Sequence, residues 1–189
     1  MGDRPSVIRL QRPSTARAPS FLESIAEMRA LGETIWEGWE PGPSESLADF
    51  VRRLQRAEHS PAPGRVPESI YWAVRDGVVV GRIALRHRLN ASLEEFGGHI
   101  GYEVRPSARR EGVGKEMLRL LLARPKAREI GRVLLTCAPD NIASNRTILA
   151  NGGVLTRSAF VERCRRRTNY YWIDLSSTTP TTSRGSDRA

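Results

Sequence analysis

One stretch constrains the fold more than any other: Gly101-Tyr-Glu-Val-Arg-Pro-Ser-Ala-Arg-Arg-Glu-Gly-Val-Gly-Lys-Glu-Met-Leu118. A β-rich run up to Val104 enters a loop carrying Arg109-x-x-Gly112-x-Gly114, and a helix opens inside that loop. Met117, Leu118, Leu121 and Leu122 fall on one face of the helix. The first turn of a helix has N–H groups without internal partners, and its dipole adds partial positive charge. A diphosphate fits that position. Gly112 and Gly114 let the backbone approach phosphate oxygens with no Cβ in the way. Arg109, Arg110 and Lys115 surround it with charge. A bare Gly-x-Gly also reads as a plain loop; the preceding strand and the following amphipathic helix weigh against that.

The rest of the chain alternates between helical and extended patterns. Phe21–Leu31 has helical spacing, with Ser20 as N-cap and Glu23 completing a capping box. Residues 44–59 repeat the logic, with Ser46 and Asp49 in those roles. Ile70–Arg75 and Val78–Leu85 flank Asp76-Gly77, a signal for a hairpin with a type I′ turn. The second of these strands is expected to continue through Leu89. Gly97–Val104 reads as a third strand. Pro125 should stop or kink the helix that follows Gly112. Val133–Cys137 is a strand, and Ile142–Ala150 a helix ended by Asn151-Gly152-Gly153. Val154–Val161 and Tyr170–Leu175 close the chain as strands. This order predicts an α/β fold, a mixed sheet with helices on its faces.

Composition sets outer limits. The chain has 189 residues, 39% of them hydrophobic and 27% charged, which is globular and points to one domain. The longest apolar stretch, Met117–Ala123, is broken by Arg119, far short of the ~20 residues a membrane span needs. No secretory h-region opens the chain. Two cysteines, Cys137 and Cys164, make no disulfide scaffold. A cytoplasmic protein without membrane contact is the expectation. Residues 1–20 and 176–189 read as disordered flanks around a domain at 21–175. The net charge of +9 points to an anionic partner. Four arginines, however, lie in the first flank, and Lys115 and Lys126 are the only lysines. A basic nucleic-acid-binding module stays as the alternative. It would need aromatic residues interleaved with the arginines, and these are absent, so no nucleic-acid partner is expected. The Arg163–Arg167 cluster reads as a site for an acidic substrate or a nucleic acid, or as a solvated turn between the last two strands, the turn being favoured. His59, His87 and His99 have no paired spacing, so no metal site is expected. A dinucleotide fold would want a third glycine where Met117 stands.

Arg-x-x-Gly-x-Gly after a strand ending Val-Arg-Pro resembles the acetyl-CoA loop of the GCN5-related N-acetyltransferases. Val133–Cys137, then Asn141-Ile-Ala-Ser-Asn-Arg-Thr-Ile-Leu-Ala-Asn-Gly-Gly-Val154, is similar to the second half of that family. Tyr71-Trp72, Arg86-His-Arg-Leu-Asn90, Gly97-Gly-His-Ile-Gly-Tyr102 and Tyr171-Trp-Ile-Asp-Leu175 resemble one bacterial subgroup of predicted acetyltransferases. The likeness covers roughly residues 21–175. It implies a mostly antiparallel twisted sheet containing a splayed parallel pair, Ile100–Val104 and Val133–Cys137, that holds acetyl-CoA, with helices on both faces. It also implies an N-acetyltransferase that passes an acetyl group to a small-molecule or peptide amine by direct attack. Val104 would pair with the pantetheine arm. Arg109, Arg110, Gly112, Val113, Gly114 and Lys115 would hold the diphosphate, and Asn141 and Asn145 would face the pantetheine. A plain helix N-cap is the other reading of Asn141. Many family members carry a proton-donating Tyr seven residues after the helix Asn; here Ile148 stands there. Candidate bases are His99, Glu103 on the same face of that strand, and His87 on its neighbour. Arg86, Arg88 and Asn90 are candidate acceptor-pocket residues. The edges of such a sheet make a homodimer a candidate assembly.

Overall fold

The computed structural model describes residues 7–36 and 38–176. Its elements in chain order are β1 (Arg9–Gln11), α1 (Ala18–Ala30), α2 (Leu47–Arg56), β2 (Glu68–Arg75), β3 (Val78–Arg86), α3 (Ala91–Glu95) and β4 (Ile100–Val104). They continue with α4 (Val113–Leu122), α5 (Pro125–Ile130), β5 (Arg132–Cys137), α6 (Ile142–Leu149), β6 (Val154–Val161) and β7 (Arg166–Asp174). Strands form two antiparallel sheets, ordered β1-β2-β3-β4 and β5-β7-β6.

The β2–β3 hairpin turns at Asp76 and Gly77, both at positive φ (50° and 83°), as a type I′ turn requires. Both strands are buried along nearly their whole length, because helices cover both faces of this sheet. On one face Ile70, Trp72, Val79 and Ala84 pack against Phe21, Ile25 and Met28 of α1 and Phe50, Val51 and Leu54 of α2. Phe21 stacks on Trp72 with ring centroids 4.7 Å apart. On the other face Tyr71, Val80, Ile83 and Leu85 meet Met117, Leu118 and Leu121 of α4. Gly81 allows this approach: a Cβ there would lie 2.6 Å from Met117 Sδ.

Several local expectations are corrected. β1 lies inside the stretch expected to be a disordered flank, because pairing with β2 (Leu10 opposite Ala73) supplies its hydrogen bonds. Residues 1–6 and 177–189 of the two flanks lie outside the described residues. Ser20 does not cap α1, which starts at Ala18; its Oγ accepts from Val79 N at 3.0 Å instead. Ser46 caps α2 as read, accepting from Asp49 N at 3.1 Å. β3 ends at Arg86, and a short helix, α3, follows. Pro125 opens α5, where its missing N–H costs nothing. All ladders are antiparallel, so a splayed parallel pair is not displayed.

Candidate active site

The two sheets meet at one joint. Gly98 forms an isolated bridge with Leu135. His99 N donates to Leu134 O at 2.7 Å, Leu134 N donates to His99 Nδ1 at 2.9 Å, and Gly97 N donates to Thr136 Oγ1 at 2.9 Å. Gly98 holds φ +65°, and a Cβ on it would lie 2.4 Å from Leu134 O. Past this joint no ladder links β4 to β5 among the described residues. The hydrogen bonding between the sheets is therefore open along the outer edge of β4. Arg105 N bonds to Val80 O of β3 at 3.0 Å, so alternation turns the backbone of Val104 the other way, toward the opening. There Val104 O accepts from Arg109 Nε at 3.2 Å.

The helix mouth at α4 stands beside that edge: a Cβ on Gly114 would come within 3.4 Å of Val104 Cγ2 and 3.5 Å of Thr147 Oγ1. Gly112 precedes α4 at φ +79°, with nothing within 4 Å of its Cβ position. The first bonded amide is Glu116 N, to Gly112 O at 3.0 Å; among the described residues the N–H groups of 110–115 have no protein acceptor. Arg110 is also left-handed, at φ +68°. Six free amides on an exposed turn form a cradle of unbonded donors, the arrangement with which a helix mouth can receive an anion.

The Acetyltransferase (GNAT) family matches residues 27–152 of the chain, a span that takes in the cradle and the opening. The chain belongs to the GNAT family. It is an acetyl-CoA-dependent acetyltransferase, and no helix among its described residues is long and apolar enough to cross a membrane. No curated protein matches this GNAT chain. Solved structures share its fold. The microcin C7 self-immunity acetyltransferase MccE, bound to acetyl-CoA and AMP, is 16% identical at a TM-score of 0.64, covering 90% of this chain and 93% of that one. RimL, the ribosomal L7/L12 α-N-protein acetyltransferase in complex with coenzyme A, is 15% identical at 0.64, covering 90% and 95%. Mycobacterium smegmatis RimJ with a CoA-disulfide is 20% identical at 0.62, covering 89% and 82%.

Within this GNAT domain the side chains singled out by sequence do not all converge. Arg109 is engaged by the protein itself: Nη1 and Nη2 pair with Glu33 at 2.5 and 2.7 Å. Its loop is held to α1 as well, through Arg105 on Glu23 and Glu27 and through Ser107 N on Glu27. Lys115 and Arg110 are exposed beside the cradle, and Val113 is buried beneath it. Asn141 is the N-cap of α6, accepting from Ser144 N at 3.0 Å. Asn145 is spent on protein partners: its Nδ2 donates to Ala138 O and Asn141 O, and its Oδ1 takes Asn169 Nδ2 and the Tyr171 hydroxyl. Asn141 is exposed and makes no hydrogen bond through its Nδ2 among the described residues, whereas Asn145 is committed at both ends of its amide.

The three candidate bases separate. His87 lies away from the opening, its Nε2 2.8 Å from Ser69 Oγ, which donates to Glu58 Oε1 at 2.8 Å. His99 is only 7% exposed. Burial pulls its pKa down to about 4, so it is neutral at pH 7. Its Nδ1 lone pair is used by Leu134 N, which leaves the proton on Nε2 and no lone pair to accept one. It is a pin between sheets. Glu103 on β4 is the remaining candidate. Burial pushes its carboxyl up to about 7, against the partial pull of Arg82, and that value suits a general base at neutral pH.

Sequence reasoning missed two groups. Tyr102 on β4 reaches α6, its hydroxyl 2.9 Å from Ser144 Oγ, and burial pushes its pKa up to about 12. Arg82 on β3 stands opposite Glu103. The signal for Tyr102 was the Ile at position 148, which leaves the proton-donor role open. Arg82 gave none, since a lone Arg in a strand reads as an exposed edge residue. Arg86 and Asn90 are taken up locally: Arg86 Nη1 donates to Gly97 O and Gly98 O, and Asn90 caps α3. Of the Arg163–Arg167 cluster, Arg166 and Arg167 belong to β7 and Arg163 bonds Ser92 Oγ of α3. Among the described residues no three His, Cys, Asp or Glu side chains converge on a metal position.

Proposed function

We propose that this protein acetylates a primary amine by direct attack on the thioester of acetyl-CoA. The amides of residues 110–115 would receive the diphosphate, with Lys115 and Arg110 beside them. The pantetheine arm would lie along the outer edge of β4, in the opening between β4 and β5, which act as the splayed pair of this fold. There the outward-turned backbone of Val104 meets it as an added strand would. The observation that carries this reading is the continuity of six unbonded amides with an unpaired strand edge.

Glu103 takes the proton that makes the amine nucleophilic. An amine with a pKa near 10 is mostly protonated at pH 7, so a base near pH 7 raises the reactive fraction. The amide of Val104 stabilises the developing oxyanion. The Tyr102 and Ser144 hydroxyls supply a hydrogen bond to the departing thiolate, whose pKa of ~8.5 already makes it a fair leaving group. The proton removed from the ammonium ends on Glu103; the second proton leaves nitrogen as the tetrahedral intermediate collapses, the C–S bond breaks, and that proton ends on the thiolate, which departs as free CoA. RimL is a ribosomal L7/L12 α-N-protein acetyltransferase, and a peptide amine is one acceptor this site would take. The test is ligand-dependent thermal stability: acetyl-CoA raises the melting temperature and NAD does not. No shift with acetyl-CoA or CoA would overturn the reading.

A further inference from the structure

Arg82 is buried in a way that the protein does not explain. It is 4% exposed, and its Nε and Nη1 have no hydrogen-bond partner among the described residues. Among the described residues no carboxylate lies within ion-pair distance of it. Burial lowers its pKa to about 9, so it still carries its charge at pH 7. An unpaired buried charge costs several kcal/mol. Trp39 lies over the guanidinium at 3.7 Å, and this cation–π contact covers the face but satisfies no N–H. The neighbouring arginines differ. Arg86 donates to Gly97 O and Gly98 O, and Arg105 bonds Glu23 and Glu27. Arg105 Nη1 is also unpartnered, but Arg82 alone of the three makes no hydrogen bond or ion pair at all among the described residues.

Its position says what would bond. Arg82 and Glu103 are direct cross-strand partners, so their side chains leave the sheet on one face with Cβ atoms about 5 Å apart. Their charges sense each other, yet no ion pair forms. A ligand that offers an amine to Glu103 must therefore present its next polar group close to Arg82. Arginine bears donors only, so that group is an oxygen acceptor. An amine and a carbonyl or carboxylate on the same carbon meet this spacing. A lysine ε-amine places its whole side chain between the two, and an alkyl polyamine has no oxygen at all.

We propose that Arg82 is a specificity residue that binds the carbonyl or carboxylate oxygen of an α-amino carbonyl acceptor, such as a peptide N-terminus or an amino acid. The proposal rests on the reading that Glu103 faces the reacting amine. Trp39 fixes the plane of the guanidinium so that its edge meets the oxygen.

The experiment measures CoA release with three probes: an alanyl dipeptide amide, free alanine and ethylamine. Wild type and Arg82→Met are compared, because Met keeps the length and can still pack under Trp39. The expected result is a ten- to hundred-fold rise in KM for the dipeptide amide in the variant, with kcat little changed. Removing the pull of Arg82 moves the Glu103 pH profile alike for every acceptor, so rates are compared on the high-pH plateau; there the kcat/KM for ethylamine, and at any pH the thermal shift with acetyl-CoA, should stay near wild type. Equal loss on ethylamine and dipeptide, or no loss on either, overturns the proposal. Free alanine separates the sources: activity above that on ethylamine, lost with Arg82, supports a carboxylate reader. Alanine acetylated no better than ethylamine, with the dipeptide favoured, supports a peptide carbonyl reader. Should Arg82→Met fail to fold, product inhibition of the wild-type protein decides. N-acetylalaninamide should inhibit more strongly than N-ethylacetamide, and equal inhibition overturns the proposal. Loss of the acetyl-CoA shift itself would instead strike at the acetyltransferase reading.

Discussion

Gly98→Ala is the sharpest test of the joint that organises this fold. The added Cβ would sit 2.4 Å from Leu134 O and 2.9 Å from Leu134 C, backbone atoms that no rotamer change can remove. Holding φ +65° with a Cβ costs about 1–2 kcal/mol. Relieving the contact must also separate the two sheets and loosen three hydrogen bonds: His99 N to Leu134 O, Leu134 N to His99 Nδ1 and Gly97 N to Thr136 Oγ1. At about 1 kcal/mol each, the total is about 4–5 kcal/mol, a large part of the 5–15 kcal/mol that typically holds a domain folded. For a chain of this length the melting temperature should fall by roughly 10–15 °C. Gly112→Ala, measured without ligand, is the control, since Gly112 is left-handed at φ +79° with nothing within 4 Å of its Cβ position. It carries the strain without the contact and should lose only about 1–2 kcal/mol. Thermal unfolding followed by circular dichroism reads both. Equal losses in the two variants would refute the reasoning, because they would mean that the close approach of Gly98 to Leu134 contributes nothing.

Three further outcomes are expected. The kcat/KM of the wild-type protein should rise with pH through about 7, the value to which burial pushes Glu103, as its carboxylate forms; Glu103→Gln should lower kcat and leave acetyl-CoA binding intact, and a flat profile would remove Glu103 as base. The pKa of His99 falls from 6.5 to about 4 on folding, so the unfolded chain binds the extra proton between those values. Stability from this residue is whole above pH 6.5 and lost toward pH 4, by about 3 kcal/mol; His99→Asn, which keeps an acceptor for Leu134 N, should flatten that part of the pH–stability curve, and a curve that overlays wild type would contradict the assignment. Gly112→Trp should erase most of the ~2.7 kcal/mol that acetyl-CoA at 100 times its Kd contributes to stability; an unchanged thermal shift would mean that the diphosphate binds elsewhere.

Local signals in the chain were read well where a few neighbouring residues decide the outcome. The Asp76-Gly77 hairpin, the Ser46 cap and the glycine-rich mouth of α4 are set by backbone conformations that only certain residue types adopt. They therefore show in the letters themselves. The side chains around the opening were harder. Asn141, Asn145 and Arg109 have the chemistry of cofactor ligands, but each is engaged by a residue of the protein: Ser144 for the first, Tyr171 and Asn169 for the second, Glu33 for the third. His99 carries a base's chemistry and spends it on Leu134 N. Glu33 and Arg109 are 76 residues apart, and no local pattern brings them together.

By itself the sequence determined the helices α1, α2, α4 and α6, the hairpin and the glycine turn before α4, because these depend on periodicity and on which residues tolerate a left-handed backbone; α3 and α5 were not legible in it. The tertiary structure alone decided that β1 exists, that two sheets meet at Gly98, and that burial lifts Glu103 toward neutrality while leaving Arg82 charged without a partner among the described residues. Desolvation and hydrogen-bond satisfaction are sums over neighbours distant in the chain, and they take values only once the chain has packed.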